Sequence, residues 1–231
     1  MERIVRVLNV GRLSYGEALK VQQYLANNHF NKIHHDISDI LVIVEHNPVY
    51  TIGIRTKGYT SEDEKRLTNL GAEFFKTNRG GLITFHGPGQ LVAYPIVNLK
   101  NFKPSMRWYV STIEQTIIDM CSELNLRANT SPHTGVWIGD NKVCAIGVHG
   151  RKYVTTHGLA LNCNVDLKWY DHIVPCGIED KGVTSLSKEL NTEYTVQDAL
   201  PLFLNSFKKL FNCNLLYLNN DVHTKIMENI N

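Results

Sequence analysis

Apolar positions along this chain recur at two spacings, and the switches between them outline its elements. Met1 to Leu8 alternate as in a strand. Ser14 with Glu17 forms a capping box, and Tyr15, Ala18, Leu19, Leu25 and Ala26 then share one helical face. Ile40 to Glu45 is a continuous apolar run of the buried-strand kind; a turn at His46-Asn47-Pro48 leads into a strand over Val49 to Ile52. Ser61 reads as the cap of a short helix that ends near Gly71, before a strand over Glu73 to Thr77. Two further apolar runs, Leu82 to Phe85 and Leu91 to Ile96, flank Gly87-Pro88-Gly89 and read as strand, turn, strand.

The second half continues the alternation of element types. Ser105 caps a helix whose stripe is Tyr109, Ile113, Ile117, Met120, Cys121 and Leu124. Gly135 to Val148 reads as a hairpin turning at Asp140-Asn141, and Tyr153 to Asn162 as a strand broken at His157-Gly158. Val174 to Ile178 is a short loop. Thr195 and Asp198 cap a last helix with Val196, Leu200, Phe203, Phe207 and Leu210 on its apolar face. Pro201 inside it predicts a kink or a later start, since an interior proline costs about 3 kcal/mol. The polar tail after Leu218 is expected to be loosely held. Strands grouped in hairpins and helices in long separate pieces predict an α+β fold, a mostly antiparallel mixed sheet flanked by helices. No repeat or linker divides the chain, so residues 1–231 are expected to form one domain.

Polar residues interrupt that pattern most conspicuously at the central stretch. Arg79 and His86 bracket the run Leu82 to Phe85, Gly80 and Gly81 permit a close backbone approach, and Gln90 opens the following strand. Surface loop positions and a functional corner are both consistent with this arrangement. His46 likewise fits either substrate orientation or a hydrogen bond within its turn.

Composition narrows the class. The chain has 231 residues, is 43% hydrophobic and carries a formal charge of +2, with no run of one sign. It can bury a sizeable core, and nothing in the balance of charges argues for nucleic acid or an anionic membrane. No apolar stretch nears the roughly 20 residues of a membrane span. Its five cysteines, Cys121, Cys144, Cys163, Cys176 and Cys213, are scattered without a CxxC pair, as suits free thiols in a reducing compartment. Cys176 differs from Cys121, Cys144 and Cys163 in lying in a loop between Pro175 and Gly177, where a thiol can be fixed and exposed. Lys142 follows a tight turn and, by alternation, shares a strand face with Ile146 and Val148; a solvated turn lysine is the plainer reading. His46, His86, His157 and Cys176 lack short-range ligand spacing, so no metal site is expected.

The run from Arg79 to Ile96, RGGLITFHGPGQLVAYPI, resembles the signature of the octanoyltransferases of lipoate biosynthesis over eighteen consecutive positions. EHNPVYTIG, KVCAIGV, HGLALNC and VPCGI extend the resemblance over most of the chain. It implies the fold shared by the catalytic domains of biotin and lipoate protein ligases. It also implies transfer of an octanoyl group from octanoyl-acyl carrier protein to a lysine of a lipoyl domain, the first step of protein lipoylation. In that scheme Cys176 is the acyl-thioester nucleophile and Lys142 its partner. An ammonium about 4 Å from a thiolate is worth roughly 4 kcal/mol at an effective dielectric of 20, ample to populate the thiolate. The acyl pocket would be lined by Arg79, Gly80, Gly81, Leu82, Ile83, Thr84, Phe85 and His86, with Ala145, Ile146, Gly147, Gly158, Leu159 and Ala160 opposite. Six buried methylenes at about 0.8 kcal/mol each would contribute about 5 kcal/mol to octanoyl binding. No bound cofactor is implied; the donor brings its own phosphopantetheine arm. Acceptors would be the lipoyl domains of 2-oxoacid dehydrogenase complexes and the glycine cleavage H protein. The expected compartment is the mitochondrion in a eukaryote and the cytoplasm in a bacterium. Two alternatives stand beside this reading: an ATP-dependent lipoate or biotin ligase, which would not need Cys176, and a non-catalytic fatty-acyl binding module.

Overall fold

A computed structural model describes residues 2–31, 38–56, 58–174 and 181–229. The first half runs β1 (Ile4–Leu13), α1 (Tyr15–Asn31), β2 (Ile40–His46), β3 (Val49–Ile52), α2 (Ser61–Thr68), β4 (Glu73–Lys76), β5 (Thr84–His86) and β6 (Gln90–Ile96). It continues through α3 (Met106–Glu123), β7 (Ala128–Asn129), β8 (Val136–Ile138), β9 (Asn141–Arg151) and β10 (Val154–Asn162). After a 3-10 turn at Leu167–His172 come β11 (Gly182–Val183), α4 (Leu186–Leu190), α5 (Val196–Phe211), β12 (Asn214–Tyr217) and α6 (Asn220–Glu228).

The larger sheet has the order β12-β1-β2-β6-β10-β9-β8-β7, with β11 pairing in parallel beside β9. Its β12-β1-β2 end is parallel and the path from β2 through β6, β10, β9 and β8 to β7 is antiparallel. The fold is therefore α+β with a mixed, mostly antiparallel sheet. Both faces of the central strands are covered, which explains why Ile40 to Val44 is apolar without alternation. Leu41 and Ile43 face the core built with α3 and α5, whereas Ile40, Val42 and Val44 face the core built with α1. On α3, Tyr109, Ile113, Ile117, Met120 and Cys121 are completely buried. Each such side chain contributes on the order of 2 kcal/mol over leaving it in water. A second sheet, β4-β3-β5, packs its own core of Tyr50, Ile52, Leu67, Ile83, Phe85 and Tyr170.

Several expectations change. β5 and β6 are not partners: β5 pairs with β3 in the small sheet and β6 with β2 and β10 in the large one. The turn explains the separation. Pro88 follows Gly87, Gly89 has φ +82°, and the Gln90 N–H donates to Gly87 O at 3.2 Å. Proline and then a positive-φ glycine make a type II turn, which splays its flanking strands, unlike the primed turns of hairpins. Helix α2 is capped one residue earlier than expected, by Thr60 in a reciprocal box with Asp63. His46 closes β2 and pairs with Leu13 in register. β10 runs unbroken through His157, although that residue has φ +57°. α5 starts at Val196 and continues past Pro201, so the proline does not delay it. Within the tail, Asn219 caps α6, and Ile226 is fully buried against the α1 side of the sheet.

Candidate active site

A narrow slot opens where the segment after β4 crosses the β9-β10 ribbon. Arg79, Gly81, Leu82, Thr84 and His86 line one side; Ala145, Ile146, Gly147, Gly158, Leu159 and Ala160 line the other. It encloses about 40 Å³ of space for a water-sized sphere and is partly open to solvent. Its far wall consists of Tyr15 from the start of α1, Tyr94 from β6, and His157, none of which was among the expected pocket-lining residues. Tyr15 carries a hydroxyl inside an apolar helical stripe and Tyr94 one inside a continuous apolar run, so pattern alone hid both.

Strand alternation divides the central stretch. Thr84 and His86 face the slot, while Ile83 and Phe85 point into the small-sheet core, where Phe85 stacks on Trp169 at 4.9 Å. Gly80 does not line the slot; its N–H donates to Val148 O at 3.0 Å and ties the crossing segment to β9. The small residues are needed by the packing. A Cβ on Gly158 would lie 2.1 Å from Ala93 O, so only glycine lets β10 approach β6 there.

The slot's inner end is a fixed polar network. Arg79 is 6% exposed. Its Nη2 donates to Thr51 O at 2.7 Å, Thr51 Oγ1 at 2.9 Å and Leu82 O at 3.0 Å, while its Nη1 donates to Gly80 O at 3.0 Å. His86 joins Gln90 Oε1 at 2.7 Å and Thr51 Oγ1 at 3.3 Å, and Gln90 Nε2 donates to Asn162 Oδ1 at 2.8 Å. His46 meets Tyr94 OH at 2.7 Å and Leu13 O at 3.2 Å, across strands rather than within its turn. Burial pushes the His46 imidazole down to about 4. Burial, then the neighbouring His46 and Arg79, hold His86 at about 3. Burial and then Arg79 hold His157 at about 3. All three rings are thus neutral near pH 7 and present fixed donors and acceptors rather than a labile proton.

Lys142 stands near the start of β9, three residues before Ala145, and is not among the residues that line the slot. Although it follows a tight turn, it is only 6% exposed, and its Nζ lies 4.8 Å from the centre of the Trp137 ring. Gly135, at φ +129°, makes room for it: a Cβ there would meet Lys142 Cε at 3.1 Å. The chain comes back to this point at residues 181–184. Gly182 and Val183 pair with Asn141 and Lys142, Thr184 N–H donates to Lys142 O at 3.0 Å, and Lys181 pairs with Asp140. Cys176 itself, within residues 175–180, lies outside the described residues. The other four cysteines are buried. Burial raises the thiols of Cys121 and Cys163 to about 12, that of Cys213 to about 11, and that of Cys144 also upward. A thiol of that kind is a poor nucleophile near neutral pH. Among the described residues no three His, Cys, Asp or Glu side chains gather as a metal site, and no helix is long and apolar enough to cross a membrane.

Known proteins share both the sequence and the fold. The family described as the lipoyl protein ligase A/B catalytic domain matches residues 14–208. The mitochondrial octanoyl-[acyl-carrier-protein]:protein N-octanoyltransferase LIPT2 of Danio rerio is 55% identical over 213 residues, covering 92% of this chain and 95% of its own. Its namesake in Homo sapiens is 43% identical over 221 residues, with the same coverage of each chain. A crystal structure of lipoate-protein ligase A bound with ATP superposes with a TM-score of 0.74 at 12% identity, over 100% of this chain and 94% of that one; this likeness concerns the fold. With its sequence matched across most of its length and its slot built on the ligase-type sheet, the chain belongs to the lipoyl protein ligase A/B catalytic-domain family, among the octanoyltransferases.

Proposed function

We propose that this enzyme moves an octanoyl group from octanoyl-acyl carrier protein to a lysine of a lipoyl domain through a thioester on Cys176, with Lys142 carrying the protons. The observation that supports this most is the setting of Lys142. It is a buried cation on β9, three residues before the slot-lining Ala145, and the chain returns beside it six residues after Cys176.

The Cys176 thiolate attacks the carrier's thioester carbonyl and forms a new C–S bond. The pantetheine sulfur leaves and takes a proton from the Lys142 ammonium. The amine of the acceptor lysine then attacks the acyl-enzyme and passes a proton to the now neutral Lys142, and the C–S bond to Cys176 breaks. An amide and the original ammonium–thiolate pair remain. Arg79 and the slot-facing Thr84, His86, Ala145, Gly147, Gly158 and Ala160 hold the chain; Leu82, Ile146 and Leu159 add apolar surface. Lipoyl domains of 2-oxoacid dehydrogenases and the glycine cleavage H protein are the acceptors in this reading, and the mitochondrion its compartment.

Intact-mass analysis tests the reading. Incubation with octanoyl-carrier protein alone should add one octanoyl group to the wild type and none to Cys176→Ser. Adding a lipoyl domain should move that group to the domain without ATP. Modification that needs ATP and proceeds from free octanoate would replace the transferase with a ligase.

A further inference from the structure

Behind the inner end of the slot lies a second, roomier space. A groove of about 470 Å³ runs between α1 and the β9-β10 ribbon, and His157 lines both it and the slot. The two spaces lie along one face of the ribbon. On β9, Ala145 and Gly147 face the slot and His149 and Arg151 the groove. Alternate residues of a strand share a face, so these four form one continuous track.

What separates slot from groove is thin and specific. Residues 78–80 cross β9 at Gly147 and Val148, held by the bond from Gly80 N–H to Val148 O. The Arg79 side chain packs so closely on Gly147 that a Cβ there would lie 3.0 Å from Arg79 Cδ. Asn78, on the groove side, meets His157 Nε2 through its Oδ1 at 2.9 Å and completes the barrier. From below, Gln22 of α1 accepts from the His157 N–H at 2.7 Å. Gln22 and His157 are 1% and 2% exposed, and Gln22 Nε2 and His157 Nδ1 have no hydrogen-bond partner among the described residues. Beyond them the groove offers Leu19, Ala26, Phe30 and Val154.

We propose that His157, braced by Asn78 and Gln22, is the chain-length stop of the acyl slot, and that the groove behind it accepts the surplus methylenes of a longer acyl chain once the stop is removed. The inference rests on the acyl-slot reading, in which the reacting carbonyl lies at the Lys142 end and the methyl end points along the track toward Gly147. A chain that ends at the stop keeps its methyl on slot-lining surface. One that goes further must press methylenes against the unpartnered Gln22 and His157 nitrogens, which gain nothing from an apolar neighbour. The stop is also stiff, since His157 is held on two sides and its backbone lies in the left-handed region.

The test is the ratio of kcat/KM for transfer from decanoyl- and from octanoyl-carrier protein to a lipoyl domain. His157→Gly suits the backbone at φ +57° and deletes the imidazole. Each methylene newly buried in the groove strengthens binding about fourfold, so the decanoyl-to-octanoyl ratio should rise on the order of tenfold. The change should lie in KM more than in kcat. His157→Asn, which tolerates the same backbone and stays polar, should give a smaller rise. Asn78→Ala weakens the barrier from its other side and serves if His157→Gly fails to fold. In the His157→Gly background, Ala26→Phe should fill the groove and restore the wild-type ratio. An unchanged ratio in His157→Gly, or in Asn78→Ala if the former does not fold, overturns the stop while leaving the transferase reading intact. A wild type that transfers no octanoyl group overturns both.

Discussion

The two ends of the slot follow opposite plans. At the inner end Arg79, His86, His46 and Gln90 are each locked by hydrogen bonds, and burial keeps the imidazoles neutral. In the proposed mechanism the outer end belongs to Lys142, whose ammonium lies 4.8 Å from the centre of the Trp137 ring. Gly182 and Val183, downstream of Cys176 in the chain, pair beside Lys142. A site that must shape a flexible chain benefits from fixed groups, whereas one that must exchange protons twice per turnover needs a group that can change its protonation state. The contrast teaches that histidines in a catalytic cleft are not thereby catalytic. Here their environment removes the labile proton, and the proposed mechanism gives the proton chemistry to the lysine instead.

The hardest test of that division is Cys176→Ser. A serine hydroxyl beside an ammonium stays protonated near neutral pH, so transfer should fall on the order of a thousandfold or more. Single serine replacements at Cys121, Cys144, Cys163 and Cys213 should leave most activity, because burial holds those thiols out of reach of ionisation. Acyl-enzyme that still forms in Cys176→Ser, seen by mass, would move the reaction to another residue.

Lys142 comes next, and two substitutions separate its charge from its proton. Lys142→Ala should raise the apparent pKa for alkylation of Cys176 and slow both half-reactions, by about 10²–10⁴-fold where proton transfer limits the rate. Lys142→Arg keeps the cation but cannot release a proton, so alkylation at low pH should persist while turnover fails. Iodoacetamide rates against pH, with single-turnover transfer on the same three proteins, check both halves. Superimposable alkylation profiles for wild type and Lys142→Ala would show that the two side chains do not meet.

Around Lys142 the sequence showed the preceding turn but, read alone, a solvated side chain, where the structure has it buried; Cys176 lies outside the described residues. The inner end depends on which residues meet across sheets, and linear pattern does not carry that. Leu82 to Phe85 and Leu91 to Ile96 look like two arms of one hairpin, yet the Gly87-Pro88-Gly89 corner sends them to different sheets. The same separation brings His86 beside Gln90 and Thr51. Alternation along β5 then takes Ile83 and Phe85 out of the slot, although the motif contains them. Tyr94 was hidden because β6 is buried on both faces and shows no period. Local capping was read well where the box is self-contained, as at Ser14 and Thr195, and missed by one residue where Thr60 and Ser61 compete.

The smallest expected effect concerns the neutral histidines one at a time, and its sign follows from where each proton goes. Unfolded, a histidine titrates near 6.5. Folded, His46 is pushed down to about 4 and His86 and His157 to about 3 by burial. Between these limits the unfolded chain binds protons that the folded chain refuses, so stability is fully present above about 6.5 and declines as pH falls. Each histidine contributes up to about 1.4 kcal/mol per pH unit in that window, and the three together roughly 4. Urea unfolding from pH 7 to pH 5 should show this decline in the wild type. His46→Gln removes one titrating group while keeping a polar side chain beside Tyr94 and Leu13. Its stability at pH 7 should be lower, but its loss per pH unit should be shallower by about one proton's worth. Comparing the two proteins cancels the carboxylates, including Asp39, which burial pushes upward. Parallel curves would mean that His46 accepts a proton in the folded protein, and the inner end would then be able to move protons as the outer end does.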